Sequence, residues 1–155
     1  MTLMFNDDEF CIMLQDADFP LYFKNKVHPD DYKVFNQPIT KLIYHLRTNH
    51  NRLILRLSFK ISENEFVPVT FICDTGAPSF IYINERTRSL IEHSIMRDDM
   101  ENEFIVIGED KKRIPLGSSP SNHPDVNIIG IRLLSYLGLF LEDDRFGFSR
   151  LIPYI

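Results

Sequence analysis

From Leu53 onward, the alternation of apolar and polar residues predicts β-strands. Every second residue from Leu53 to Ile61 is apolar, and most of the residues between them are polar. This period of two is typical of a strand with two different faces. A turn follows at 62–64, and the apolar segment Phe66–Cys73 then predicts the return strand of an antiparallel hairpin. Its last five residues, Val69–Cys73, are nearly all apolar, so we expect them to be buried on both faces.

The rest of this region predicts short strands and one or two short helices. The predicted strands are 80–83, 104–107, 113–116, 126–130, 139–141 and 146–148. One helix is predicted over about 85–97, with Asn84 as its N-cap. A shorter helix, with Leu133, Leu134 and Leu137 facing inward, should end at Gly138. This succession indicates a mainly-β domain over 51–155.

Residues 1–50 have a different pattern, in which short apolar segments are interrupted by prolines. The segment is too apolar for a solvated tail, so we expect an N-terminal extension packed on or against the domain. Residues 39–48 fit a helix or a strand equally well. The first 20 residues could add structure to the domain, cover a cleft, or bind a partner.

Charge and composition exclude several classes of protein. The 155 residues carry a net charge of −5, and the whole excess comes from the first 20 residues. The rest of the chain is neutral, so it offers no basic surface for nucleic acid or for an anionic membrane. We expect a cytoplasmic protein, because no apolar stretch could span a bilayer and the N-terminus lacks the features of a signal peptide.

Cysteine and histidine usage predicts neither a disulfide framework nor a metal site or other cofactor. The chain has two cysteines, Cys11 and Cys73, and five scattered histidines. None of the histidines forms a close pair with the spacing of a metal site. Cys73 is best interpreted as a small buried apolar residue.

The segment Phe71–Ala77 is the candidate for chemistry. Asp74 follows an apolar strand directly, so its carboxylate should be partly desolvated and need compensation. Thr75 supplies a hydroxyl, and Gly76 allows the backbone to approach closely. A hydrogen-bonded carboxylate at the end of a strand suits acid–base catalysis. The alternative is that Asp-Thr-Gly forms only a β-turn.

The flanking sequence favours a function. The segment Asn127–Gly130 begins 53 positions after Asp74 and leads into a leucine-rich helix. Together with the apolar strand and Asp74–Ala77, this order resembles the retropepsin-like aspartic peptidases over residues 52–150. The resemblance implies a closed β-barrel. In this barrel, Thr75, Gly76 and Ala77 support the loop that carries Asp74. Ile128 and Ile129 pack beneath that loop, and Gly130 permits a close crossing.

The resemblance also implies a mechanism that needs two carboxylates, one ionised and one protonated. This chain has one Asp-Thr-Gly, and Glu109-Asp110 and Asp143-Asp144 lie in polar turns. A second chain must therefore supply the other Asp74, which predicts a homodimer that hydrolyses a polypeptide substrate. The Thr75 hydroxyls would bond across the dimer. The alternative is a catalytically inactive module for dimerisation or for binding a protein partner.

Two further alternatives stay open. An active retropepsin covers its cleft with a glycine-rich hairpin, the flap. Either the flap lies within 85–103 and is reduced, because that stretch has no glycine, or Phe104–Leu116 is itself the flap, with Gly108 near its tip. The apolar tail Leu151–Ile155 could join a dimer interface or pack on its own domain.

Overall fold

The computed structural model describes residues 28–46, 51–93, 104–143 and 145–155. Within them the chain forms nine strands and two helices. The strands are β1 (Lys41–Leu46), β2 (Asn51–Ser62), β3 (Glu65–Cys73), β4 (Ile81–Ile83), β5 (Phe104–Ile107), β6 (Lys112–Ser118), β7 (Ile128–Ile129), β8 (Leu139–Glu142) and β9 (Arg145–Phe148). The helices are α1 (Glu85–Glu92) and α2 (Ile131–Tyr136). The mainly-β class with short helices is confirmed.

The predicted β2–β3 hairpin is present and forms the centre of the core. It is antiparallel, with Leu53 opposite Cys73 and Phe59 opposite Val67. Alternate β2 residues from Leu55 to Phe59 are buried, as the pattern predicts. The other face of β2 is buried too, although it carries Arg56 and Ser58. Something must therefore cover this polar face.

The N-terminal segment provides that cover. Ser58 Oγ accepts a hydrogen bond from the Ile39 N–H at 2.6 Å, and β1 pairs with the first half of β2. Residues 41–46 are thus a strand, which decides between the two interpretations of 39–48. Further upstream, Phe35 and Phe66 exchange two backbone hydrogen bonds of 2.8 Å along the edge of β3. Because 1–27 and 47–50 lie outside the described residues, the boundary at residue 50 stays a prediction.

The sheet order places β7 in an unusual position. Seven strands follow the order β1-β2-β3-β7-β4-β6-β5, and β8 and β9 form a separate two-stranded sheet. β3 and β4 are consecutive in the chain, yet β7 lies between them, parallel to β3 and antiparallel to β4. β1 and β5 are the two end strands of the sheet as described, so the closed barrel stays a prediction.

The helices follow the expected signals as far as the chain is described. Asn84 caps α1, since its side chain accepts a hydrogen bond from the Thr87 N–H at 2.8 Å. The predicted extension to residue 97 falls largely on 94–97, outside the described residues. α2 ends before Gly138, whose φ of +71° suits a residue without a Cβ. No helix in the described part of the chain has the length and apolar character needed to cross a membrane.

The C-terminal tail packs on its own domain. Ile155 is buried, and its N–H donates to the Ser58 carbonyl at 2.8 Å. Its carbonyl accepts from the Lys60 N–H at 2.9 Å. The ring of Tyr154 lies 5.3 Å from that of Phe66, measured between centroids. The tail therefore packs on its own domain, and a contribution to a dimer interface stays a prediction.

Candidate active site

Asp74 lies at the carboxyl end of β3, half-buried at the start of a tight turn. Its Oδ1 accepts a hydrogen bond from the Gly76 N–H at 2.8 Å. Its backbone carbonyl accepts from the Ala77 N–H at 3.1 Å, and its own N–H donates to the Ile129 carbonyl at 2.9 Å. The turn therefore holds one carboxylate oxygen, and the strand behind it fixes the backbone.

β7 supports this turn from inside the protein. Ile128 and Ile129 are fully buried and contribute to two different apolar clusters. Ile129 belongs to the main core around β2 and β3. Ile128 belongs to a smaller cluster with Ile72, Ala77, Tyr82 and Val126. Because the two isoleucines pack in separate clusters, β7 is buried on both faces directly behind the Asp74 turn.

Gly130 makes the closest approach in the site. A Cβ placed on it would overlap the Ser79 carbonyl oxygen and lie 2.9 Å from that of Ala77. Its φ of −87° is accessible to any residue, so space and not conformation requires glycine here. The N–H groups of Gly130 and Ile131 donate to the carbonyls of Phe80 and Ala77, both at 2.9 Å. These bonds tie the start of α2 to the chain that follows Asp74.

The tip of the turn is at the surface. Thr75 and Gly76 are exposed, while Ala77 is fully buried. Within the described residues, the Gly76 N–H is the hydrogen-bond partner of the Asp74 carboxylate. One half-buried carboxylate can act as a general base, but a dyad needs a second carboxyl group beside it. Among the described residues Glu109 and Asp110 do not supply it, since they lie exposed on the β5–β6 hairpin.

Cys73, next to Asp74, is a buried thiol with no part in acid–base chemistry at ordinary pH. Burial raises its pKa to about 12, and the neighbouring charge of Asp74 adds to this effect. Thiol reactivity requires the thiolate, so the side chain stays protonated and serves as core. This agrees with its interpretation as a small apolar residue.

The β5–β6 hairpin, one of the two flap candidates, is fixed at its tip. Gly108 has a φ of +73°, and the Tyr136 hydroxyl at the end of α2 donates a hydrogen bond to Asp110. That bond is the largest cause of a raised pKa at Tyr136. The other candidate, 85–103, contains α1 at its start, and 94–103 lies outside the described residues. A flap therefore stays a prediction.

A cavity of about 680 Å³ lies beside this hairpin tip and the C-terminal tail. Its lining includes Lys60, Tyr136 and Tyr154, and it does not include residues 74–77. The cavity and the Asp74 turn are therefore separate features. In the described part of the chain, no three His, Cys, Asp or Glu side chains gather as metal ligands would.

A polar network near β7 has no counterpart in the sequence-based predictions. The Tyr32 hydroxyl lies 2.9 Å from that of Thr87, and the Asn127 amide donates to it at 3.2 Å. The Asn84 N–H in turn donates to Asn127 Oδ1 at 2.9 Å. The sequence gives a role to Asn84 as an N-cap, but nothing in it links Tyr32 to residues so distant in the chain.

Comparison with protein-family models, with curated proteins and with solved structures finds no match for this chain. The retropepsin-like resemblance therefore stays a prediction that depends on the motifs and on the geometry at Asp74.

Proposed function

We propose that this protein is an aspartic endopeptidase that acts as a homodimer, with Asp74 of each chain as one half of the catalytic dyad. The observation that carries the proposal is the seating of Asp74 at the end of β3. Its N–H is bonded to Ile129 on β7, and Gly130 crosses directly behind the turn. This arrangement holds an accessible carboxylate on a rigid support, which suits catalysis.

The chemistry requires two Asp74 side chains close together. Two neighbouring carboxyl groups share one proton, because two like charges at short distance cannot both ionise. The ionised Asp74 takes a proton from water as its oxygen attacks the peptide carbonyl, while the protonated Asp74 donates its proton to the carbonyl oxygen. The C–N bond then breaks as the first Asp74 passes its proton to the leaving nitrogen and the second takes one back from the diol, which restores the dyad. The exposed Thr75 and Gly76 leave the turn accessible to a second copy, and the Thr75 hydroxyls would bond across the two-fold axis.

Exposed apolar residues after the second motif support the homodimer. Ile131 on α2 is 40% exposed, and Phe140 and Leu141 on β8 are 43% and 61% exposed. A contiguous apolar patch in solvent is typical of an interaction surface, and we take the face of β8 that carries Leu141, the most exposed of the three, as the candidate interface. In this proposal the domain has the retropepsin-like closed barrel expected from the sequence, and the expected cytoplasmic location is retained.

The test compares the purified protein with Asp74→Asn on an unfolded protein substrate between about pH 4 and 7, where a carboxyl dyad operates. We expect cleavage that falls by about three orders of magnitude or more in Asp74→Asn, as for the loss of a triad member in other hydrolases. Asp143→Asn is the matched control, because Asp143 lies in a turn with a φ of +49°, which asparagine also tolerates. Equal cleavage by wild type and Asp74→Asn would overturn the proposal.

A non-catalytic module is the second candidate, and the β5–β6 hairpin favours it. The bond between Tyr136 and Asp110 holds the hairpin tip against α2. A hydrogen bond of this kind contributes about 0.5–1.5 kcal/mol, so it favours this position of the hairpin, whereas a flap must open and close over a substrate. In this case the dimer would form and survive Asp74→Asn, while neither protein would cleave any substrate. The cleavage assay separates the two candidates, and molar mass in solution shows whether the dimer that both require is present.

A further inference from the structure

The phenol of Tyr32 connects the N-terminal segment to both α1 and the start of β7. Its oxygen is within hydrogen-bond distance of Thr87, Asn127 and Asn84, the last through an amide that donates at 3.3 Å. Thr87 and Asn127 are buried. A buried polar group without a hydrogen-bond partner lowers the free energy of unfolding, so such groups are nearly always paired. The Tyr32 hydroxyl therefore supplies a hydrogen-bond partner to Thr87 on α1 and to Asn127 at the start of β7.

The backbone of Tyr32 is held in place to make this contact. Its φ is +65°, which is uncommon for a bulky residue and persists only where the surroundings fix it. The Tyr32 N–H donates to the Pro68 carbonyl at 3.0 Å. The guanidinium of Arg86 lies 4.1 Å from the centre of the Tyr32 ring. Contacts from β3 and α1 thus position the ring from two sides.

Asn127 carries the effect of this contact toward Asp74. It immediately precedes β7, and its carbonyl accepts from the Ile72 N–H at 2.9 Å. At the other end of β7, the Ile129 carbonyl accepts from the Asp74 N–H. The two ends lie about 7 Å apart, at roughly 3.3 Å per residue. A strand of two residues has few ladder bonds of its own, so its register depends on what holds each end.

We propose that Tyr32 is a positioning residue for Asp74, acting through Asn127 and β7. The N-terminal segment from His28 is then part of the site's support. Where it concerns catalysis, this inference rests on the proposed function. The structural part does not, because the hydrogen bond between Asp74 and Ile129 can be followed in a protein with no activity.

Amide hydrogen exchange in Tyr32→Phe tests the structural part. This variant removes one hydroxyl and keeps the ring beneath Arg86. We expect the Asp74 and Ile72 N–H groups to exchange about 5- to 30-fold faster, as for one or two lost hydrogen bonds. Amides in the middle of β2, at Leu55 and Leu57, should keep their rates. Tyr154→Phe is the matched control and should leave all four rates unchanged.

Two exchange results would overturn the proposal. Equal acceleration at Leu55 and Asp74 would show that the hydroxyl contributes only to global stability. An unchanged rate at Asp74 would show that the contact does not reach the turn. Peptide cleavage adds a second readout, in which Tyr32→Phe should lower kcat about tenfold with KM changed less than about twofold, as expected for loss of a transition-state interaction. If wild type and Asp74→Asn cleave equally, the proposed function fails, while the exchange result still decides the role of Tyr32.

Discussion

Gly130 passes so close to Ser79 that a Cβ on the glycine would overlap the serine carbonyl oxygen. The contact is backbone against backbone, so a side-chain rotation cannot relieve it. It brings the start of α2 against the chain that follows Asp74. The position of the candidate catalytic turn therefore depends on the absence of one carbon atom.

Gly130→Ala should destabilise the protein through this contact. The added methyl group must displace the Ser79 or Ala77 carbonyl, and overpacking of this kind costs about 1–3 kcal/mol of unfolding free energy. Urea denaturation measures the loss. Gly147→Ala is the control, because its Cβ would meet the partly exposed ring of Phe140, which can turn away. Equal stability of Gly130→Ala and wild type would show that the Ser79 and Ala77 carbonyls can move away from position 130 at no cost in free energy.

The strands and the position of Asp74 at the end of one of them could be predicted because their signals are local. Period-two alternation identifies β2, and the position of Asp74 after an apolar strand places it at a strand end. The Asn84 cap and the stop at Gly138 are also short-range signals. Each depends on residues only a few positions apart, so the amino-acid sequence alone is sufficient.

The cover over β2 could not be predicted, because it depends on polar contacts between distant parts of the chain. Arg56 and Ser58 are typical of an exposed strand face, yet both are buried. Their partners come from the segment around Asp31 and Ile39. No periodicity indicates which distant polar group will pair with a buried one, and the same reason conceals the contacts of Tyr32.

Asn84→Ala should lose about 0.5–2 kcal/mol of unfolding free energy, the range for removal of an N-cap. The side chain accepts from the Thr87 N–H at 2.8 Å and donates to the Asp125 carbonyl at 2.9 Å. Asn84→Asp keeps the acceptor and places a negative charge at the helix N-terminus, which is favourable. The Asn84→Asp variant should therefore lose less unfolding free energy than Asn84→Ala, as measured by thermal or urea denaturation. A loss in Asn84→Asp as large as in Asn84→Ala would assign the cost to the contacts that the amide donates to Asp125 and Tyr32 instead.

Asp31 should make stability depend on pH in a recognisable direction. Burial raises its pKa above the usual 3.8, outweighing the hydrogen bond from Thr70 and the nearby charge of Arg56. An acid with a raised pKa in the folded state favours folding most below pH 3.8, and this contribution is lost as pH rises through the folded-state pKa. Relative to Asp31→Asn, which cannot ionise, wild type should therefore lose unfolding free energy as pH rises from about 3.5 to 6.5.

Urea denaturation of both proteins across that range gives the difference directly. Carboxyl groups distant from Asp31 titrate alike in wild type and variant, so their effects cancel to first order. His28 is coupled to Asp31, so both proteins carry His28→Gln in this comparison. A difference that stays flat, or that moves in favour of wild type as pH rises, would mean that the Thr70 hydrogen bonds and Arg56 together stabilise the ionised Asp31 at least as much as burial opposes it. The Arg56 Nε lies 3.8 Å from Asp31 Oδ1, longer than a hydrogen bond, which is why we expect burial to dominate.

Leu141→Lys should weaken the proposed homodimer while leaving the fold intact. Leu141 is 61% exposed on β8, so a lysine there costs little in a monomer. Burying a leucine in an interface contributes about 1.5–3 kcal/mol, and both chains of a homodimer carry the substitution, so the dimer dissociation constant should rise about 100-fold or more. Sedimentation velocity over a range of concentrations measures this constant.

Val34→Lys is the matched control for that measurement. Val34 is 55% exposed on the N-terminal segment, so the two variants add the same charge at apolar sites of similar exposure. If both weaken the dimer equally, the effect comes from charge repulsion and not from β8. If neither does, the exposed face of β8 lies outside the interface, and the two Asp74 turns must meet through other contacts, since the proposed dyad still needs both chains.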